Sequence, residues 1–205
     1  MREPTGKASD WLKRTMAMEE AVTAILTATG EDVSREGLKE TPARVAQAWL
    51  DWTKGYEVED PAKLLKTFED GAEGTAGSDE LVIVNGIELY SHCEHHMAPF
   101  FGTATVAYIP QGKVVGLSKL ARVVDAYAQR FQVQERLTNQ IADCIHGALE
   151  PLGVGVVIRA RHHCMCSRGV GKQRSTTITS ALRGVLRTKP EARAEFLSLV
   201  DHDCP

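Results

Sequence analysis

Two short stretches of this 205-residue chain concentrate the side chains that can do chemistry. One is Ser91-His92-Cys93-Glu94-His95-His96, and the other is Arg161-His162-His163-Cys164-Met165-Cys166. Together they hold five of the seven histidines and three of the five cysteines. Thiolate and imidazole are the ligands zinc favours. Cys93 and His96 form a C-x-x-H pair, close enough to hold one ion from a single turn. That pair alone is a weak signal, and the distant second cluster strengthens it. With one cysteine from 164 or 166 the set reaches three ligands and leaves a position for water, as catalytic sites do. A fourth ligand, Cys166 or a spare histidine, would close the site into a structural staple. Spacing does not separate the two cysteines, because on a strand residues 164 and 166 point to the same face. Unused histidines beside the metal could move protons, which favours catalysis.

A second group of residues suits an anion. Ser118 is placed to cap a helix whose first turns carry Lys119 and Arg122, and the unpaired N–H groups of a helix N-terminus attract phosphate. Arg168, followed by Gly169, lies just past the second cluster. Each alone is an ordinary solvated charge, whereas three near a metal would clamp a phosphate chain. Gln134-Glu135 opens another helix. Glu135 is either a first-turn acid favoured by the helix dipole or a carboxylate that pairs with two N–H donors of a ligand.

The composition limits the partners. A net charge of −3 argues against general nucleic-acid binding. Residues 1–80 hold 10 basic and 17 acidic side chains, and residues 81–205 hold 14 and 10, so an anionic ligand is expected in the second part. No apolar run approaches the roughly 18 residues of a membrane span, and no secretory signal is visible, which predicts a cytoplasmic protein with no membrane partner. An odd cysteine count in such a chain argues for metal binding or catalysis over disulfides. Cys144, at helical spacing among Leu137, Ile141, Ile145 and Ala148, is expected to pack in the interior. Cys204 falls in a terminus expected to fray.

The elements that must position these groups are legible in outline. Met18, Ala21, Val22, Ile25 and Leu26 form one helical stripe, stopped at Gly30. Thr41-Pro42 marks a second helix start, with Val45, Trp49 and Trp52 on one face. Asp60-Pro61 repeats the signal. The glycine-rich stretch Asp70–Glu80 reads as a linker. Beyond it Leu81–Val84, Asn85-Gly86 and Ile87–Tyr90 predict a hairpin. Thr103–Ile109 predicts a strand. Helices follow from Ser118 and from Gln134 to Leu149, then strands at Val154–Ala160 and Ser175–Thr179. A last helix near Pro190 carries Phe196 and Val200. Strands and helices are segregated, which predicts an α+β fold with an antiparallel sheet.

In this order the pieces resemble GTP cyclohydrolase I. The resemblance is carried by Glu40-Thr41-Pro42, Cys93-Glu94-His95-His96, Val106-Ala107-Tyr108-Ile109-Pro110 and Gly116-Leu117-Ser118-Lys119-Leu120-Ala121-Arg122. Gln132-Val133-Gln134-Glu135-Arg136-Leu137-Thr138 and His162-His163-Cys164-Met165 with Arg168-Gly169 complete it. The strings span roughly residues 15 to 200. The resemblance implies a tunnelling fold, an antiparallel four-stranded sheet with a helix pair on one side, over residues 76–205. An N-terminal helical region with its linker would occupy residues 1–75. It implies a homodecamer of two stacked pentamers with active sites between subunits. The implied reaction takes GTP and water to 7,8-dihydroneopterin triphosphate and formate, beginning with hydroxide attack on C8 of a purine protonated at N7. Matching positions make Cys93, His96 and Cys164 the ligands of one Zn2+ per chain, and leave Cys166 a bystander. His95 and His162 would transfer protons. Gln134 and Glu135 would hold the guanine edge, with Ser118 and the backbone around it, while Lys119, Arg122 and Arg168 would hold the triphosphate.

Overall fold

A computed structural model describes residues 6–69 and 80–200. The linker segment 70–79 and Cys204 lie outside the described residues. The chain divides into two compact units, Met1–Thr53 and Lys54–Pro205.

The first unit is a pair of packed helices, α1 (Gly6–Ala28) and α2 (Thr41–Trp52). Gly30 ends α1 as its position predicts. It takes φ +89°, and the next N–H, that of Glu31, reaches back to the Leu26 carbonyl. A residue with a side chain would be strained in that left-handed conformation. Pro42 sits in the first turn of α2, where a missing N–H costs nothing, and Ala46 and Leu50 are the buried residues of this helix. The capping residue is Glu40, one position before the expected Thr41, and its side chain makes no capping bond.

The second unit is α+β. Its strands are β1 (Thr67–Glu69), β2 (Val82–Cys93), β3 (Pro99–Ile109), β4 (Lys113–Val115), β5 (Phe131–Gln132), β6 (Gly153–His162) and β7 (Thr177–Gly184). Strands β1 and β4 form a small antiparallel pair. The main sheet runs β5-β2-β3-β6-β7. Its four long strands are antiparallel, while β5 lies parallel to the end of β2, pairing His92 with Phe131 and Cys93 with Gln132. The sheet is therefore five-stranded and mixed, not the four-stranded antiparallel sheet expected. The added strand is two residues of connecting chain held alongside β2.

The hairpin expected at Asn85-Gly86 does not form. Val84 faces Val106 and Ile87 faces Ala104, so Asn85 and Gly86 together oppose Thr105 as a bulge inside one long strand. Gly86 supplies φ +71°, and Asn85 Oδ1 accepts from the Thr105 hydroxyl at 2.5 Å. The dipeptide has the chemistry of a tight turn, but continued pairing with β3 buries more than a local turn would.

Helices α3 (Leu117–Ala128) and α4 (Gln134–Leu149) contribute Leu120, Val123 and Val124 and Leu137, Ile141 and Ile145 to a core shared with Phe100, Val106, Tyr108, Val156 and Ile158 of the sheet. A second core joins Phe196 and Val200 of the C-terminal helix (Pro190–Val200) to Ala107, Ile109 and Val157. Gly155 lies under Phe196, where an added Cβ would meet the ring at 2.8 Å. Cys144 packs against the first of these cores, as its spacing predicts, but is half-buried and not interior. No helix among the described residues is long and apolar enough to cross a membrane.

Candidate active site

The register of the sheet brings the two Cys/His clusters together. Strand β3 lies between β2 and β6, with His92 opposite Pro99 and Phe100 opposite His162. Cys93 ends β2, and His162 ends β6. Residues 69 positions apart in sequence thus meet at one end of the sheet.

Each cluster is shaped by a local turn. After β2 the chain doubles back, with the Cys93 carbonyl accepting from His96 N–H at 3.3 Å and Met97 N–H at 2.8 Å. Met97 takes φ +54° to complete the turn. The turn presents Cys93 Sγ 3.8 Å from His96 Nδ1 and 3.9 Å from His95 Nδ1. After β6 the chain forms one helical turn, α5 (His163–Cys166). This overturns the expectation that residues 164 and 166 share a strand face, since on a helix they lie about 200° apart. Cys164 faces the first cluster. Cys166 Sγ faces the carbonyls of Lys172 and Gln173 at 3.5 and 3.9 Å.

The ligand atoms of Cys93, His96 and Cys164 all lie within 4.8 Å of one another, and this group could hold a metal ion. Tetrahedral zinc with the usual bond lengths would set sulfur and nitrogen ligands about 3.6–3.8 Å apart, and the Cys93–His96 separation matches. Burial, and then the facing Cys93 thiol, push the Cys164 thiol up. A thiol that resists ionising beside a second thiol is part of a donor set that a divalent cation would satisfy.

The group opens on a cleft of about 240 Å³ lined also by His95, Gln134, Glu135 and His162. The ring of His162 stacks on Phe100, with centroids 4.5 Å apart and planes 8° apart. Its Nε2 lies 2.7 Å from Gln134 Oε1. Burial pulls the His162 imidazole below its ordinary pKa, against the nearby Glu135 carboxylate, which raises it. Glu135 is exposed on the first turn of α4. Gln134 beside it is 1% exposed, and its amide is engaged at both ends. His95 is exposed.

The anion residues are placed elsewhere. Ser118 is not the cap of α3. Gly116 takes that position, and Ser118 is exposed within the first turn. Arg122 lines a different concavity with Lys54, Glu57 and Asp125. Among the described residues Ser118, Lys119, Arg122 and Arg168 do not line the Cys/His cleft of their own chain.

Further contributors are visible only through pairing. Arg136 forms an ion pair with Glu94 and donates to the Phe131 carbonyl at 3.1 Å and to Gln132 Oε1 at 3.1 Å. It ties the Cys-Glu-His-His turn to β5. The ion pair holds the Glu94 carboxyl below its usual range. Phe100 reads in sequence as an ordinary core residue, and nothing local marks it as the platform of His162.

Fold and site together define an α+β protein with a two-thiol, one-imidazole cluster and two further imidazoles at a cleft, the equipment of a metal-assisted hydrolytic enzyme. The sequence profile of GTP cyclohydrolase I matches residues 18–201. GTP cyclohydrolase 1 of Janthinobacterium sp. (strain Marseille) is 59% identical over 175 residues, covering 85% of this chain and 86% of that one. The Nitrosospira multiformis protein of the same name is 54% identical over 86% of this chain and 91% of its own, and that of Chlorobium chlorochromatii 55% over 89% and 80%. The chain belongs to the GTP cyclohydrolase I family. Among solved structures, the apo form of an archaeosine synthase QueF-Like superposes loosely, with a TM-score of 0.41 and 23% identity over 51% of this chain and 93% of that one.

Proposed function

We propose that this chain is a zinc-dependent GTP cyclohydrolase, converting GTP and water to 7,8-dihydroneopterin triphosphate and formate, the first step of tetrahydrofolate and pterin biosynthesis. The observation that carries this is the convergence of Cys93, His96 and Cys164 at a cleft that also holds His95, His162 and Glu135. Cys93, His96 and Cys164 would hold Zn2+, one per chain. Zinc bound there would lower the pKa of a coordinated water toward neutrality.

The chain's own residues supply the rest. A purine protonated at N7 is electrophilic at C8, and His95 and His162 are the imidazoles at hand to give and take back protons. His162, kept neutral by burial, is suited to accept one. The Glu135 carboxylate accepts from the N1–H and 2-amino group of guanine. Adenine lacks that pair of donors, and would leave the carboxylate unpaired. Gln134 precedes Glu135 at the start of α4 and lines the same cleft.

The single-chain cleft is smaller than the roughly 300–1,000 Å³ usual for ligand pockets, and the basic residues stand outside it. This supports a site completed between subunits, with Ser118, Lys119, Arg122 and Arg168 brought to the triphosphate by assembly. We accordingly place the chain in a tunnelling-fold decamer of two stacked pentamers. The compartment we assign is the cytoplasm, where a thiol cluster stays reduced.

A structural zinc protein is the alternative. It needs a fourth protein ligand, and two observations speak against one: the turn aims Cys166 at Lys172 and Gln173, and His95, though near Cys93, falls outside the group whose ligand atoms all lie within 4.8 Å of one another. The deciding experiment incubates purified chain with GTP and reads formate release and pterin fluorescence after oxidation, with chelator and with zinc restored. Turnover that chelator abolishes and zinc restores is the expected result. A zinc-loaded chain with no turnover would leave the structural alternative.

A further inference from the structure

The resemblance casts Gln134 as a guanine contact, but its side chain is otherwise occupied. Four hydrogen bonds surround the amide, and their directions can be worked out from one fixed end. Thr138 Oγ1 lies 2.7 Å from the Gln134 main-chain carbonyl, which can only accept. The Thr138 proton is therefore spent there. Thr138 and Thr179 hydroxyls are 2.6 Å apart, so the proton between them comes from Thr179. Thr179 Oγ1 in turn accepts from Gln134 Nε2 at 3.1 Å. The same amide nitrogen is 3.1 Å from the carbonyls of Ile158 and Thr177, which also only accept. Turning the amide over would set its oxygen against two carbonyls. The nitrogen end thus faces the strands β6 and β7, and Oε1 faces His162 Nε2 at 2.7 Å.

An amide oxygen cannot donate, so the proton in this contact belongs to the imidazole. We propose that Gln134 is a positioning residue, which holds His162 in the Nε2–H tautomer and leaves Nδ1 as the nitrogen that moves protons on the substrate. Phe100, stacked on the ring, fixes its plane. Gln134 is 1% exposed and Thr138 0%, so water does not compete for these bonds. Without such a partner an imidazole exchanges freely between tautomers, and the lone pair would be on the required side only part of the time. The role of His162 in turnover rests on the function proposed above, while its tautomer does not.

The test uses the full-length, zinc-loaded chain labelled with 15N-histidine. Solid-state 15N spectra at about pH 8, where imidazole is neutral, report the tautomer, and His162 is assigned by the signal lost in His162→Asn. The expected result is a protonated Nε2 and a bare Nδ1. A protonated Nδ1, or a mixture, overturns the proposal without any further variant. Gln134→Met then separates positioning from binding. It should keep zinc, lower kcat by about 100-fold, and leave KM for GTP within about threefold. A raised KM with kcat retained would make Gln134 a guanine contact and overturn it equally. Should Gln134→Met fail to fold, the wild-type tautomer decides. Absence of turnover in the unmutated chain would sink the functional reading and leave the tautomer result standing.

Discussion

Cys164 and Cys166 differ by two positions and, in this structure, by the direction a helical turn gives them. Cys164 joins Cys93 and His96, while Cys166 turns to main-chain carbonyls. Cys164→Ser is expected to lose bound zinc and GTP turnover together. Cys166→Ser should retain stoichiometric zinc and most turnover. Metal content by atomic emission and a formate assay read both outcomes. Equal loss of zinc from the two variants would indicate four protein ligands and no position for water.

At the scale of elements, the ends of β2 and β6 and the turn between β2 and β3 make the site. Burial holds His92 and His162, one near each strand end, below the ordinary imidazole pKa. As the pH falls through about 6.5, the unfolded chain takes up protons at these positions that the folded chain refuses. Stability therefore rises with pH in that window and is lost below it. Melting of the metal-free chain should show a flat midpoint above about pH 7 and a falling one below about 6.5. A midpoint that climbs on acidification into that window would contradict the burial argument. The Cys-Glu-His-His turn depends on Arg136. Its ion pair with Glu94 is solvent-accessible and screened, so Arg136→Ala should leave the melting midpoint nearly unchanged. It also removes the side-chain tie between the turn and β5, leaving only the main-chain pairing, and zinc affinity measured by chelator competition should fall by about 10-fold, the lower end for groups that orient metal ligands. Unchanged affinity would show that the turn holds its shape alone.

The whole molecule decides where the anion is bound. Cys93, His162 and Glu135 meet within one chain, whereas Lys119 and Arg122 stand apart from that cleft. Chains carrying Cys93→Ala and chains carrying Lys119→Ala should each be inactive or nearly so. Dissociated, mixed and reassembled, they should regain activity, because random assortment across a shared interface completes about one site in four. An inactive mixture, with mixed oligomers verified by mass, would place the triphosphate site within a single chain. Mixing Cys93→Ala with Glu135→Gln should give no such recovery, since both residues serve the same chain's cleft.

The helices of this protein are written locally. The stripe from Met18 to Leu26, the Thr41-Pro42 start and the boundaries Gln134–Leu149 follow from side chains within a turn of one another, and the structure places helices there. The C-x-x-H pair is legible for the same reason, because one turn joins its members. Strand pairing is different, since its partners are distant and its register depends on what the whole sheet buries. Asn85-Gly86 carries every local mark of a hairpin and becomes a bulge because β3 continues past it. β5 has no signal of its own and exists because β2 is beside it. The choice of Cys164 over Cys166 needed the break from strand to helix after His162, the engagement of Gln134 needed β6 and β7, and the separation of Lys119 and Arg122 from the cleft needed the path of α3. The residue types set what chemistry was available. Which atoms meet was settled by long-range pairing, which no local rule encodes.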